Sequence, residues 1–117
     1  MDDTFEFTQA GRRGRVVILH VRGRLDARAA VALMNCGTKV ADEGCNLILN
    51  LAGVTFIASS GVGTLLALSE VFQEQAGVVR FVELSLSVRT TIELLSLDQM
   101  LGIDPDEDSA LKVLHAA

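Results

Sequence analysis

Apolar and polar positions change rhythm several times along the chain, and each rhythm predicts an element. Phe5-Glu6-Phe7-Thr8 alternates with a period of two, which predicts a half-buried strand over Thr4 to Gln9. Ala10-Gly11-Arg12-Arg13-Gly14 then supplies turn chemistry. Val16 to Val21 is almost continuously apolar and follows at hairpin distance, so it reads as a strand covered on both faces. Gly23-Arg24-Leu25-Asp26 closes that strand. Asp26 suits a helix N-cap, because its carboxylate can accept from the unpaired N–H groups of a first turn. From Ala27 to about Asp42, Ala30, Leu33, Met34 and Val40 recur at helical spacing, weakened a little by Gly37. Gly44 suits a left-handed close.

The second half continues the alternation of strand and helix. Asn46 to Leu51 is a short apolar run of strand length, followed by Val54 to Ile57, the turn Ala58-Ser59-Ser60-Gly61 and an apolar helix from about Ser60 to Gln75. Ala76-Gly77 stops this helix, and Val78 to Glu83 reads as another strand. Ser85-Leu86-Ser87 caps a helix to about Leu95, Leu97 to Leu101 make a turn, and Gly102-Ile103 is briefly extended. The acidic string Asp104 to Asp108 reads as the solvated start of a last helix, Ser109 to His115. The order β-β-α-β-α-β-α-(β)-α predicts an α/β fold: a four- to five-stranded, mostly parallel mixed sheet with an N-terminal hairpin and helices packed on it. Residues 1–117 leave room for one domain.

Composition narrows the functions open to such a fold. Half of the 117 residues are hydrophobic, yet there is no Trp or Tyr and only five Phe, so the aromatic surface of a single-stranded nucleic-acid binder is missing. The net charge is −5 and uneven. Residues 1–50 carry seven basic against six acidic side chains, and residues 51–117 three against nine. An acidic chain repels a phosphate backbone, so nucleic acid is not the expected partner. Arg12, Arg13 and Arg15 form the one basic cluster and read as a solvated hairpin edge. No apolar run approaches the roughly 20 residues of a membrane span, and Met-Asp-Asp is not the start of a signal peptide. Cys36 and Cys45 have no histidine close by, so buried reduced thiols in the cytoplasm are expected rather than a metal site.

Candidate chemistry centres on Phe56-Ile57-Ala58-Ser59-Ser60-Gly61-Val62-Gly63, where an apolar run gives way to a helix. The plain reading is that one serine hydroxyl caps the helix. The functional reading is that one serine receives a phosphate. A phosphoserine carries about −1.5 to −2 charges at pH 7, and at a helix N-terminus it meets unpaired N–H groups worth roughly 0.3–1 kcal/mol. Phosphorylation there leaves the fold intact while placing an anion on a docking surface. Enzymatic readings fare poorly: the turn is not Gly-x-Ser-x-Gly, and His20 and His115 stand apart from any nucleophile. Gly61-Val62-Gly63 has neither the spacing nor the lysine of a phosphate-binding loop. Asp104, Asp106, Glu107 and Asp108 lack the glycine and terminal glutamate of a calcium loop. No enzyme, cofactor or metal is expected.

The stretch Leu47-Ile-Leu-Asn-Leu-Ala-Gly-Val-Thr-Phe-Ile-Ala-Ser-Ser-Gly-Val-Gly-Thr-Leu-Leu-Ala-Leu68 resembles the signature of the STAS domain as found in bacterial anti-sigma factor antagonists, also called anti-anti-sigma factors. Val21-Arg-Gly-Arg-Leu-Asp26, Ala76-Gly-Val-Val-Arg-Phe-Val82 and Leu84-Ser-Leu-Ser-Val-Arg89 with Leu94-Leu-Ser-Leu-Asp98 agree in register. The resemblance implies a cytoplasmic transcription regulator that binds an anti-sigma factor serine kinase, frees its sigma factor, and is reset by a serine phosphatase. It implies phosphorylation at Ser59, with Ser60 as the alternative, and partner binding through Asp26, Ala58, Ser59, Ser60, Gly61, Val62 and Gly63. A monomer or weak dimer is expected. Two positions depart from the family pattern. Ala58 replaces the aspartate before the serine, and Leu49-Asn50-Leu51 replaces Leu-Asp-Leu, which removes two carboxylates expected beside the phosphoacceptor. Those departures favour an alternative role: a structural subunit of a transporter or signalling assembly that is never phosphorylated.

Overall fold

The computed structural model describes residues 5–116. Strand β1 (Glu6–Arg13) pairs antiparallel with β2 (Val16–Leu25). The expected start at Thr4 lies outside the described residues. The turn between the strands is shorter than the glycines and arginines suggested: only Gly14 and Arg15 form it, with Gly14 in the left-handed region (φ 61°) that a side chain disfavours. A register shift between Gln9 and Gly11 leaves Ala10 as the extra residue, and the pairing resumes at Gly11↔Ile18. Arg12 and Arg13 therefore belong to the sheet edge, where their side chains are exposed.

Helix α1 (Ala27–Asp42) returns the chain to β3 (Asn46–Ile57), which runs parallel to β2. Both strands are longer than their apolar runs. The sequence pattern splits β3 at Ala52-Gly53, but Gly53 pairs with Arg22 and Phe56 with Arg24, so the strand passes through the break. Gly53 permits this close approach: a Cβ there would stand 2.7 Å from Arg22 Cβ. Two register shifts, between His20 and Arg22 and between Gly23 and Arg24, each leave one extra residue on β3.

Helix α2 (Ser59–Glu74), strand β4 (Val79–Val82), helix α3 (Leu86–Leu94), strand β5 (Ile103–Asp104) and helix α4 (Glu107–Ala116) complete the order. The strands lie side by side as β1-β2-β3-β4-β5, with β2 to β5 parallel. Crossovers that all advance in one direction with the same hand put α1, α2 and α3 on one face. There Leu19, Leu33, Leu49, Leu65, Phe72 and Phe81 share the main core. The other face carries α4, whose Ala110 covers Val16, Ile18, Ile48 and Val82. Burying a large apolar side chain is worth about 1.5–3 kcal/mol, so this double cover explains why β2 reads as a continuous apolar run. Among the described residues, no helix is long and apolar enough to cross a membrane.

The acidic string departs from its expected role. Asp104 is buried at 8% exposure, and Arg80 grips it with two bonds, Nε to Oδ2 at 2.7 Å and Nη2 to Oδ1 at 2.9 Å. A bidentate guanidinium–carboxylate pair can offset the cost of removing both charges from water. It fastens β5 to β4. Asp106 is exposed and accepts from the Ser109 N–H at 2.8 Å, so it caps α4, which begins two residues earlier than expected. Those bonds, first to the Ser109 backbone and then to its hydroxyl, hold the Asp106 carboxyl below the usual carboxylate range. Cys45 is buried, Cys36 partly so, and both are free thiols; burial pushes the Cys36 thiol up. Arg12 Nη2 donates to Cys45 Sγ at 3.3 Å, which ties the hairpin to the end of α1.

Candidate functional site

Because β2 to β5 run parallel, the N-termini of the helices that follow them gather along one edge of the sheet. Strand ends of this kind are where α/β folds place their binding sites. Two such ends are joined directly: the Ala58 N–H donates to the Leu25 carbonyl at 3.0 Å, which sets the start of α2 beside the start of α1. Asp26 caps α1 as expected, its Oδ1 accepting from the Ala29 N–H at 3.1 Å. Its carboxylate is therefore committed to the fold, although the residue stays partly exposed.

The start of α2 is built differently. Its N-cap is Ala58, in extended conformation (φ −86°, ψ 168°), and no side chain caps it. Ser59 and Ser60 fall one and two residues inside the helix, both exposed. Capping by either serine, the plain reading of the sequence, is not what they do. The first-turn N–H groups stay open to an acceptor from outside. A phosphate on Ser59 would meet them and the positive end of the helix dipole.

The remaining turn positions divide by burial. Gly61 is buried, and a Cβ there would stand 2.7 Å from the Leu25 carbonyl oxygen and 2.9 Å from Ile57 Cγ1. Val62 is buried in the main core. These two press the helix start onto β2 and do not themselves face outward. Gly63 is exposed with nothing within 4 Å of a built Cβ. The outward surface is thus Ser59, Ser60 and Gly63, with Ala58 and Asp26 partly exposed beside them.

Two neighbours of this surface escape sequence reasoning. Phe56 is 38% exposed, and the Arg24 guanidinium carbon lies 4.1 Å from its ring centroid, a cation–π contact across β2 and β3. The only hint was an aromatic ending a strand that otherwise buries aliphatic residues. An open groove of about 470 Å³ between α1 and α2 is lined by Ala27, Ala30, Val31, Met34 and Thr64, with Ser60 at its side. Val31 is 62% exposed there, off the buried face of α1. Sequence periodicity counts Val31 as one more apolar residue.

Asn50 requires a correction. The expectation placed it near the phosphoacceptor, but strand alternation turns it to the α4 face with Ile48. There its Nδ2 donates to Glu107 Oε2 at 2.8 Å and its Oδ1 accepts from the Ala52 N–H at 3.0 Å. His20 Nε2 lies 2.7 Å from the same carboxylate oxygen. An aspartate at position 50 would set one carboxylate against another; the amide donates instead. So Asn50 is explained by Glu107, not by the serine turn. Ala58 does adjoin Ser59 and leaves that turn without a carboxylate of its own. Among the described residues, no group of three metal-ligating side chains comes together.

Comparison with known proteins agrees with this architecture. An anti-sigma factor antagonist from Mycobacterium paratuberculosis is similar at 25% identity and a TM-score of 0.85, over 98% of this chain and 97% of that one. The anti-sigma factor antagonist SpoIIAA of Bacillus, in its unphosphorylated form, is similar at 21% identity and a TM-score of 0.76, over 97% and 98%. SpoIIAA has also been solved phosphorylated. The murine anion transporter Slc26a9 is similar at 20% identity and a TM-score of 0.74, but the match covers 92% of this chain and 19% of the transporter. The STAS domain family model matches residues 8–110, and the chain belongs to that family.

Proposed function

We propose that this protein is an anti-sigma factor antagonist that docks onto a kinase-type anti-sigma factor through the start of α2 and thereby frees a sigma factor, with phosphorylation of Ser59 as the off switch. One observation carries the proposal: Ser59 stands exposed at a helix N-terminus that no side chain caps, next to Ser60, which lines the α1–α2 groove. The surface joins a phosphoacceptor hydroxyl to apolar contact area. It belongs to a helix whose core face is locked by Gly61 and Val62, so a phosphate added there changes the surface and leaves the packing alone. A docking penalty of about 3 kcal/mol would weaken binding roughly a hundredfold. Similar structures support the reading, since they include anti-sigma factor antagonists and SpoIIAA in a phosphorylated form.

The test is incubation with a kinase-type anti-sigma factor from the same cell and ATP, followed by mass mapping of the product. Phosphate on Ser59, or on Ser60 as the alternative acceptor, supports the switch, and a serine phosphatase should remove it. Phosphate confined to other residues contradicts the switch.

A second reading has specific support. Ala58 removes the carboxylate beside Ser59, and a STAS-like fold also occurs as a small part of the transporter Slc26a9. In that reading the protein is a constitutive subunit of a larger assembly. Stable co-purification with such an assembly, unchanged by Ser59→Glu, would distinguish it.

A further inference from the structure

The first turn of α1 carries a charge that the helix itself does not favour. Arg28 is the second residue of α1, and no acidic residue stands in that turn. A helix start concentrates partial positive charge, so it favours carboxylates and disfavours a guanidinium. Helix α4 follows this rule and opens with Glu107 and Asp108. No carboxylate of the fold pairs with Arg28: among the described residues the ion pairs are Arg22 with Glu6, Arg80 with Asp104 and His20 with Glu107. Asp26, two residues before, has its carboxylate on the Ala29 N–H, and Arg24 rests on the Phe56 ring. Arg28 is exposed. The helix thus bears an unpaired cation at its less favourable end.

The place of this cation indicates what it meets. Arg28 and Asn35 are seven residues apart, close to two full turns, and so lie on the same side of α1. Asn35 lines the open groove between α1 and α2, together with Val31, Met34 and Ser60. The groove is therefore apolar within and carries positive charge at the end where α1 starts. That end adjoins the serine turn, through the bond from the Ala58 N–H to the Leu25 carbonyl. The acids of α2, Glu70 and Glu74, fall in its last half and leave this end without negative charge of its own. A surface that joins apolar contact to an unpaired guanidinium is complementary to apolar side chains with a carboxylate beside them. We infer that the anti-sigma factor seats an acidic segment on the first half of the α1–α2 groove, with a carboxylate on Arg28 and an apolar side chain against Val31 and Met34. This rests on the docking reading above and adds the chemistry of the partner. It also gives the switch a physical cause. A phosphoserine carries about −1.5 to −2 charges at pH 7, and a partner that brings negative charge to this edge is repelled by it.

Dissociation constants for the kinase-type anti-sigma factor test the inference, with a thermal melt of each variant beside them. Losses of affinity should rise in the order Arg28→Lys, Arg28→Gln, Arg28→Glu, reaching about tenfold or more for the charge reversal. Raising the salt should shrink the Arg28→Glu loss, because it screens the pair. Arg28→Glu should nevertheless melt at or above the wild-type temperature, since an acid suits the helix start. Weaker binding with undiminished stability is what a purely structural arginine would not give; a loss of binding that tracks a lowered melt would overturn the inference. Arg28→Glu that binds like wild type or tighter, while Ser59→Glu loses binding, would overturn it and leave the docking site at Ser59 standing. A wild type that does not bind the anti-sigma factor at all would overturn both. Self-association of the wild type that Arg28→Glu abolishes, with affinity for the anti-sigma factor unchanged, would give the arginine to a second copy and overturn it as well.

Discussion

Helices α1 and α2 have the same length, 16 residues each, follow neighbouring parallel strands and start side by side, yet their first turns are opposites. Asp26 closes the start of α1 by accepting from Ala29. At α2 the equivalent position holds Ala58, which has nothing to accept with, while two serines stand exposed just inside. Side-chain capping is worth about 0.5–2 kcal/mol, so the open start costs stability that a single polar residue would restore. What holds α2 instead is contact: Gly61 against the Leu25 carbonyl, Val62 in the core and the Ala58–Leu25 hydrogen bond. The first start is built for stability. The second keeps its stability underneath and its polar groups outside.

Substitutions at these two starts should break or sharpen the contrast. The largest effect belongs to Gly61→Ala, whose methyl group meets a backbone oxygen that cannot retreat; destabilisation of about 1–3 kcal/mol in denaturant titration is expected. Gly63→Ala, two residues on, has open space and should be neutral or stabilising by up to about 1 kcal/mol. Equal losses at both positions would refute the division of the turn into an inner and an outer side. Asp26→Ala should cost about 0.5–2 kcal/mol, visible as a lowered melting temperature. Ala58→Asp should move the melt the other way by about 0.5–1 kcal/mol, since it supplies the missing cap. The smallest effect concerns α4. The folded-state carboxyl of Asp106 is more acidic than in the unfolded chain, so its contribution is complete above the unfolded value near 4 and is lost as pH falls through the folded one. Asp106→Asn should flatten that acid-side decline in a pH series of thermal melts.

Much of the fold was legible because its signals are local. The bounds of α1 follow from Asp26 before it and Gly44 after it, and the observed helix spans the expected Ala27 to Asp42. The β-β-α-β-α-β-α-β-α order followed from changes of period. What stayed hidden depends on groups far apart in sequence. β3 runs through Ala52-Gly53 because β2 lies against it, and no window around residue 53 contains that neighbour. Asp104 looked like one more solvated acid, since Arg80, which buries it, stands 24 residues away. Asn50 looked like a lost carboxylate near Ser59 until its bond to Glu107, 57 residues on, gave the amide its purpose. The serine turn itself was visible as a motif. Its apolar surroundings, Phe56 under Arg24 and Val31 over the groove, were not, because exposure of a hydrophobic side chain leaves no mark in periodicity.

The central claim is that the exposed hydroxyl at position 59 lies on the surface a partner covers. It is tested most directly by the dissociation constant of a kinase-type anti-sigma factor for the wild type beside Ser59→Glu, with Ser59→Ala as a control for folding. Ser59→Ala should leave stability within about 0.5 kcal/mol of wild type and keep its binding, while Ser59→Glu should bind roughly a hundredfold more weakly, the equivalent of about 3 kcal/mol. Equal affinity for wild type and Ser59→Glu would place the partner elsewhere on the molecule and contradict the claim.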